Sequence, residues 1–247
     1  MKALLFLLFL LGAIDQPEKN PPAIPILCFH NISADKDKKN TILFISNGQF
    51  LRQVQSLYDS GYHSVTPDQL HAYLTMGMPL PSKPFMITFD DSHREHFTIA
   101  APILQQYGFK GVFFVMTVTI GKPGYLTAAQ IKTLSDQGHI IGLHTWDHPH
   151  LKSTGKIDID KQLITPRKTL EKITGGQVSY FAYPFGEWNE WLAERLKTYG
   201  FKAAFQLTGK REEQVGLYNI KRFMVAGSWS GPMLQQEMRT VFSKDNH

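Results

Sequence analysis

Two pairs of residues have types and spacing that could do chemistry. Asp90-Asp91 sets two carboxylates side by side, and His144-Thr145-Trp146-Asp147-His148 sets two imidazoles four residues apart. Two acids and two histidines suit a hard-to-borderline divalent metal ion held with a position open for water. The histidine pair has the spacing of one helical turn. Residue 145 is Thr, however, so the glutamate base of an H-E-x-x-H protease is missing. A fifth group, His30, follows the apolar run 24–29. Taken singly, each has an ordinary explanation, because paired aspartates cap helices or turns and a lone histidine is often a satisfied core residue. Their shared placement after strand-like runs is what discriminates.

Those runs must be positioned by a fold. A helical pattern ending in glycine recurs at Gly61, Gly108, Gly138 and Gly200, and each is followed by a short apolar run: 62–65, 112–116, 140–143 and 201–207. Glycine just past a helix closes it in the left-handed conformation, which marks a helix-to-strand junction. Further strands are predicted over 24–29, 85–89, 180–183 and 220–225. Helical faces are carried by Phe50, Val54, Leu57 and Tyr58, and by Ile131, Leu134 and, less cleanly, Ala128. About eight strands interleaved with helices predict an α/β fold with a parallel sheet, most simply a single-domain (β/α) barrel. In such folds functional groups gather at the carboxyl ends of strands. Here those ends carry His30, Asp90-Asp91, His144 and the turn Tyr183-Pro184-Phe185-Gly186.

Composition removes other classes. Hydrophobic residues make up 43% of the 247, enough for a sizeable core. Cys28 is the single cysteine, which excludes an intramolecular disulfide and cysteine-held zinc or iron–sulfur groups. The net charge of +5 is spread along the chain, and its densest stretch, 36–39, is diluted by Asp35 and Asp37. No basic stripe points to nucleic acid. Met1-Lys2 precedes an apolar run over 3–14 and a polar segment over 15–20. Twelve apolar residues are too few to span roughly 30 Å of hydrocarbon, so no transmembrane anchor is expected. The pattern reads as a secretory signal peptide over 1–20, cleaved somewhere in 13–22, ahead of one domain over 21–247. That reading places the protein in the periplasm, at the cell envelope or outside the cell.

At the site residues the sequence resembles a known family, the polysaccharide deacetylases with a NodB-homology domain (carbohydrate esterase family 4). The resemblance runs from about residue 24 to 225. The family's T-F-D-D motif stands as Thr88-Phe89-Asp90-Asp91, its H-[ST]-x-x-H motif as His144 to His148, and its Pro–aromatic–Gly turn as Ala182-Tyr183-Pro184-Phe185-Gly186. The fold implied is an irregular (β/α)7 barrel. Two departures matter. Ala182 stands where many members carry an arginine that orients the catalytic aspartate, and Arg222 is the candidate replacement. No histidine follows His150 except His247, whereas many members place a catalytic histidine near the carboxyl terminus. The segment Leu27-Cys28-Phe29-His30-Asn31-Ile32 instead resembles the branch in which that histidine opens the domain, which includes deacetylases of poly-β-1,6-N-acetylglucosamine.

The resemblance implies roles. Asp91, His144 and His148 would hold one divalent ion, zinc first, with cobalt, nickel or iron as substitutes. Asp90 would be the general base, His30 the acid, and the Phe185 N–H, in the turn with Tyr183 and Pro184, an oxyanion donor. Thr145 would brace the metal-binding loop or serve as an ordinary cap. The implied partner is an acetylated polysaccharide, with Trp229 and Trp146 as candidates for stacking on sugar, while Trp188 and Trp191 are expected to pack. His63, His71, His93, His96, His139, His150 and His247 are expected at the surface or in caps. Cys28, two residues before His30, is expected to pack beneath the site. Two alternatives stay open: an esterase removing O-acetyl groups from a xylan-type polysaccharide, and a catalytically silent carbohydrate-binding barrel.

Overall fold

Strands whose residues are buried in unbroken runs have two faces to cover, and a parallel sheet flanked by helices covers both. The computed structural model describes residues 23–33, 41–151, 157–207 and 213–243. Its strands are β1 (Ile26–Phe29), β2 (Asn31–Ser33), β3 (Phe44–Ser46), β4 (His63–Ser64), β5 (Pro84–Phe89), β6 (Gly111–Val115), β7 (Ile140–Leu143), β8 (Tyr180–Ala182), β9 (Ala203–Gln206), β10 (Ile220–Lys221) and β11 (Phe223–Met224). The helices are α1 (Asn47–Asp59), α2 (Pro67–Met76), α3 (Ala101–Gln106), α4 (Ala128–Asp136), α5 (Thr165–Thr174), α6 (Glu190–Thr198) and α7 (Gly231–Ser243).

The main sheet runs β10-β9-β8-β7-β6-β5-β1-β11, with β4 on β5 and a separate β2–β3 pair. All these pairings are parallel. The two ends of the path are consecutive in the chain. Strand β10 pairs with β9 and β11 pairs with β1, and only Arg222 separates them. The sheet therefore curls into a nearly closed barrel, as the (β/α)7 expectation requires. The single strand expected over 220–225 is two, because the chain changes partner there. The Arg222 N–H donates to the Gln206 carbonyl at 3.0 Å, and the Val225 N–H donates to the Cys28 carbonyl at 3.0 Å.

Alternation along the strands sorts side chains into two layers. Leu27, Phe29, Ile87, Phe89, Phe113 and Val115 join the core beneath the helices. Ile26, Met86, Val112, Phe114, Ala182 and Phe205 fill the barrel interior. Gly142 keeps that interior closed on β7, since a Cβ there would run into the Phe114 ring. Gly61, Gly108, Gly138 and Gly200 all have positive φ, as their place after helices demands.

Three expectations need correction. The strand expected over 62–65 is only His63–Ser64. Tyr58 does not share the buried face of Phe50, Val54 and Leu57; it is 53% exposed in the last turn of α1, against Tyr107 and Phe109. His96 and His139 are buried rather than superficial. The signal-peptide reading over 1–20 and the basic stretch 36–39 lie outside the described residues. Among the described residues, no helix is long and apolar enough to cross a membrane.

Candidate metal centre and active site

The carboxyl ends of β1, β5, β7 and β8 open on one face of the barrel and carry His30, Asp90-Asp91, His144 and the Pro184–Gly186 turn. The Asp90 N–H still continues the ladder, donating to the Phe29 carbonyl at 3.1 Å. The next two residues leave it, with φ of 73° at Asp91 and 63° at Ser92. That left-handed step sends the two neighbouring carboxylates to different partners. The Ser92 hydroxyl then accepts the Met116 N–H at 2.8 Å, which ties the turn to the end of β6.

Asp91 faces the histidines. Its Oδ1 lies 3.6 Å from His144 Nε2 and 3.6 Å from His148 Nε2. His144 and His148 do not lie on a helical turn, as their spacing allowed. They flank a tight loop with left-handed backbone at Thr145 (φ 66°) and His148 (φ 60°). The Thr145 hydroxyl accepts the His148 N–H at 3.0 Å and donates to the His144 carbonyl at 2.5 Å. Gln162 anchors the same loop through the Trp146 N–H and the Asp147 carboxylate.

His144 Nδ1 is 2.8 Å from the Ala182 carbonyl, so Nδ1 carries a ring proton and Nε2 is the nitrogen turned to Asp91. This is the outer hydrogen bond that metal-ligating histidines characteristically make. Asp91, His144 and His148 each bring one ligand atom within 4.8 Å of the others. A carboxylate facing two imidazole nitrogens needs a proton or a metal ion between them, and this donor set fits a divalent metal. Burial works to raise the Asp91 pKa, but the hydrogen bond and charge of His144 hold it down at about 2. Burial works to lower that of His144, and Asp90 and then Asp91 raise it. Burial lowers that of His148, aided by the charge of His144.

Asp90 reaches into the barrel, with its Oδ2 still 4.0 Å from His144 Nε2. Arg222 reaches it with two nitrogens, Nη1 to Oδ1 at 2.8 Å and Nη2 to Oδ2 at 2.7 Å. Both side chains are essentially without solvent exposure. Arg222 also donates to the Thr88 hydroxyl at 3.0 Å and lies 5.2 Å from the centre of the Phe114 ring. Burial opposes ionisation of Asp90, yet the charges of Arg222 and His144 hold its pKa well below the usual carboxylate range. Ala182, by contrast, offers its carbonyl to His144 rather than a side chain to Asp90.

Cys28 does more than pack. It is fully buried, its thiol points at Asp90 Oδ2 from 3.5 Å, and its sulfur is 4.0 Å from His30 Nδ1. His30 is half-buried; burial lowers its pKa while Asp90 and Asp91 pull it upward. Its carbonyl accepts a hydrogen bond from His96 Nε2 at 2.6 Å. Buried His96, with a pKa pushed down to about 3 by burial and then by His93, thus supports the backbone of His30 from below. Nothing in its spacing distinguished it from a solvent-facing histidine. Phe185 adopts φ 58° and is 45% exposed, edge-on to His148. Gly186 beside it cannot carry a Cβ, which would meet the Leu207 Cα at 2.8 Å.

The two aromatic candidates have ring partners of their own. Trp229 is half-buried and lies over Phe223, with its carbonyl accepting from Gln53 at 2.8 Å. Trp146 is half-buried under Lys161, whose ammonium sits 4.2 Å from the ring centre. Trp188 and Trp191 pack on the outer core, as expected.

The arrangement invites comparison with known proteins. YxkH of Bacillus subtilis (strain 168), named among the polysaccharide deacetylases, is 27% identical over 214 residues, spanning 86% of this chain and 75% of that protein. Peptidoglycan-N-acetylmuramic acid deacetylase PdaA of the same organism is 30% identical over 125 residues, spanning 50% of this chain and 46% of that one. The Streptococcus pyogenes deacetylase PplD, solved in complex with acetate, superposes with a TM-score of 0.80 at 25% identity, covering 88% of this chain and 99% of that one. The sequence profile for polysaccharide deacetylases matches residues 77–204, from before β5 into β9 and through the Asp, His and turn motifs. With a profile match over just over half its length and the barrel superposing on a deacetylase almost end to end, the chain belongs to the polysaccharide deacetylase family.

Proposed function

We propose that the protein is a metal-dependent polysaccharide N-deacetylase acting on a polymer that contains N-acetylglucosamine. The observation that carries the reading is the carboxylate pair at the end of β5: Asp91 turned to two histidines, and Asp90 clamped by a buried arginine with its Oδ2 4.0 Å from His144 Nε2. Bound by Asp91, His144 and His148, a divalent ion such as zinc supplies polarisation of the acetyl carbonyl and a lowered pKa for an attacking water.

The chain's own groups do the rest. Asp90 takes a proton from the water as its oxygen bonds to the acetyl carbon, and Arg222 keeps that carboxylate ionised and aimed. The Phe185 N–H donates to the carbonyl oxygen as it gains negative charge. His30 gives a proton to the nitrogen as the carbon–nitrogen bond breaks, leaving a free amine on the sugar and acetate. Support for poly-β-1,6-N-acetylglucosamine as the first substrate to test comes from the position of His30 at the opening of the domain. Export to the envelope rests on the sequence pattern over residues 1–20.

The test is elemental analysis of the purified chain at neutral pH together with acetate release. The panel is β-1,6- and β-1,4-linked N-acetylglucosamine oligomers, peptidoglycan and acetylated xylan. Bound stoichiometric metal with acetate from an N-acetylated substrate is expected. A chain that takes up no divalent metal, or that releases acetate only from xylan, overturns the reading.

A further inference from the structure

His150 combines exposure with restraint. Its side chain is 69% exposed, yet two neighbours hold the ring. The imidazole lies flat on Phe185, with ring centres 4.0 Å apart and planes 9° from parallel. Its Nδ1 is 3.1 Å from Glu187 Oε2, on a side chain only 18% exposed. Phe185 in turn meets His148 edge-on at 4.4 Å, which places this stack beside the candidate metal ligands. An exposed side chain loses rotamer entropy when it is fixed, and an exposed charge pair returns little for that loss. The stack has a use if something lands on it.

The chemistry of the landing surface is definite. One face of the imidazole is covered by Phe185, and the other is turned to solvent at the rim of a hydrolytic centre. A rigid flat ring with a polar edge is the surface on which the apolar face of a pyranose packs, while the edge meets its hydroxyls. The second ring nitrogen, Nε2, makes no hydrogen bond among the described residues and remains for a sugar hydroxyl. We infer that His150, backed by Phe185 and held by Glu187, forms a subsite for the sugar unit next to the one being deacetylated. The inference rests on the deacetylase reading above and adds where the polymer lies.

The test pairs kinetics with binding. Wild type and His150→Ala are compared on N-acetylglucosamine tetramers, β-1,4 and β-1,6, and on 4-nitrophenyl acetate, which has no flanking sugar. Tetramer binding is measured separately by calorimetric titration. The expected result is a KM for tetramer raised roughly two- to tenfold with kcat nearly unchanged, and a change below twofold in kcat/KM for the ester. His150→Phe, which keeps a flat ring, should restore most of the KM. Equal losses on ester and tetramer would mean that the stack only positions His148, and the subsite is then wrong. Unchanged KM and unchanged tetramer binding overturn it as well. If wild type releases no acetate, the deacetylase reading fails, and the titration still decides: weaker tetramer binding by His150→Ala upholds the subsite, and equal or undetectable binding in both removes it.

Discussion

The two ends of the barrel both hold an ionic cluster, and they treat it in opposite ways. At the amino-terminal end, Asp68 Oδ1 receives the Tyr180 hydroxyl at 2.6 Å and the Lys202 ammonium at 2.8 Å, beside a cavity of about 180 Å³ also lined by His139 and Ser179. The Asp68 and Lys202 side chains are about half exposed, and water screens what they do. At the carboxyl-terminal end the groups are mostly buried, and Asp90 and Arg222 are sealed from solvent. Backbone strain follows the same division. Among the described non-glycine residues, positive φ occurs at Lys83, Asp91, Ser92, Thr145, His148 and Phe185, and all but Lys83 belong to the site. Left-handed backbone costs roughly 1–2 kcal/mol per residue, so the fold bears strain where the candidate site is built. A cavity beside charged groups is therefore not by itself the mark of a site. What marks a site is convergence of groups that the fold would be more stable without.

Substitutions can break that contrast in order of size. Asp90→Asn should retain metal and lose turnover by about 10²–10⁴-fold, measured as acetate release; full activity would assign the base elsewhere. Arg222→Met leaves the buried Asp90 charge without its guanidinium partner, and urea unfolding should show a loss of about 3–5 kcal/mol. Pairing it with Asp90→Asn should recover part of that loss. His30→Ala should slow amide hydrolysis by more than it slows hydrolysis of 4-nitrophenyl acetate, whose leaving group needs no proton. Equal slowing of both would remove His30 from the acid role.

The amino-terminal end supplies the small effects. Burial, and secondarily Lys110, lowers the His139 pKa from the ordinary 6.5 to about 4, and its Nδ1 must stay unprotonated to accept the Gly111 N–H at 3.0 Å. Between pH 6.5 and 4 the unfolded chain binds a proton that the folded chain refuses, so stability falls as pH falls through that window. Above 6.5 the group contributes no slope. His139→Gln should remove about one proton's worth of this dependence from a plot of urea midpoint against pH. Lys202→Met should cost less than about 1 kcal/mol, the ordinary worth of an exposed pair.

Much of the candidate site was legible because polar groups at strand ends interrupt an apolar pattern. Asp90-Asp91, His144 and the Pro184 turn each follow a short, unbroken apolar run, the mark of a strand covered on both faces. The helix-closing glycines were legible for a local reason, since only a residue without Cβ turns left-handed there freely. His96 and His139 were not, because burial of a histidine depends on which elements close over it and leaves no local mark. Cys28 was placed beneath the site by alternation, but its reach to Asp90 belongs to the pairing of β1 with β5.

The sequence by itself determined which chemistry was available: two carboxylates, two imidazoles and an aromatic turn, set at the ends of strands that had to be parallel. It also made Arg222 the candidate partner for Asp90 across 132 positions. Tertiary structure decided which carboxylate does what. Asp90 and Asp91 are chemically identical neighbours, and only a left-handed backbone step and the closure of the barrel at Arg222 turn one toward histidines and the other toward a guanidinium. Such a difference arises from long-range geometry and low-dielectric burial, neither of which is a property of adjacent residues.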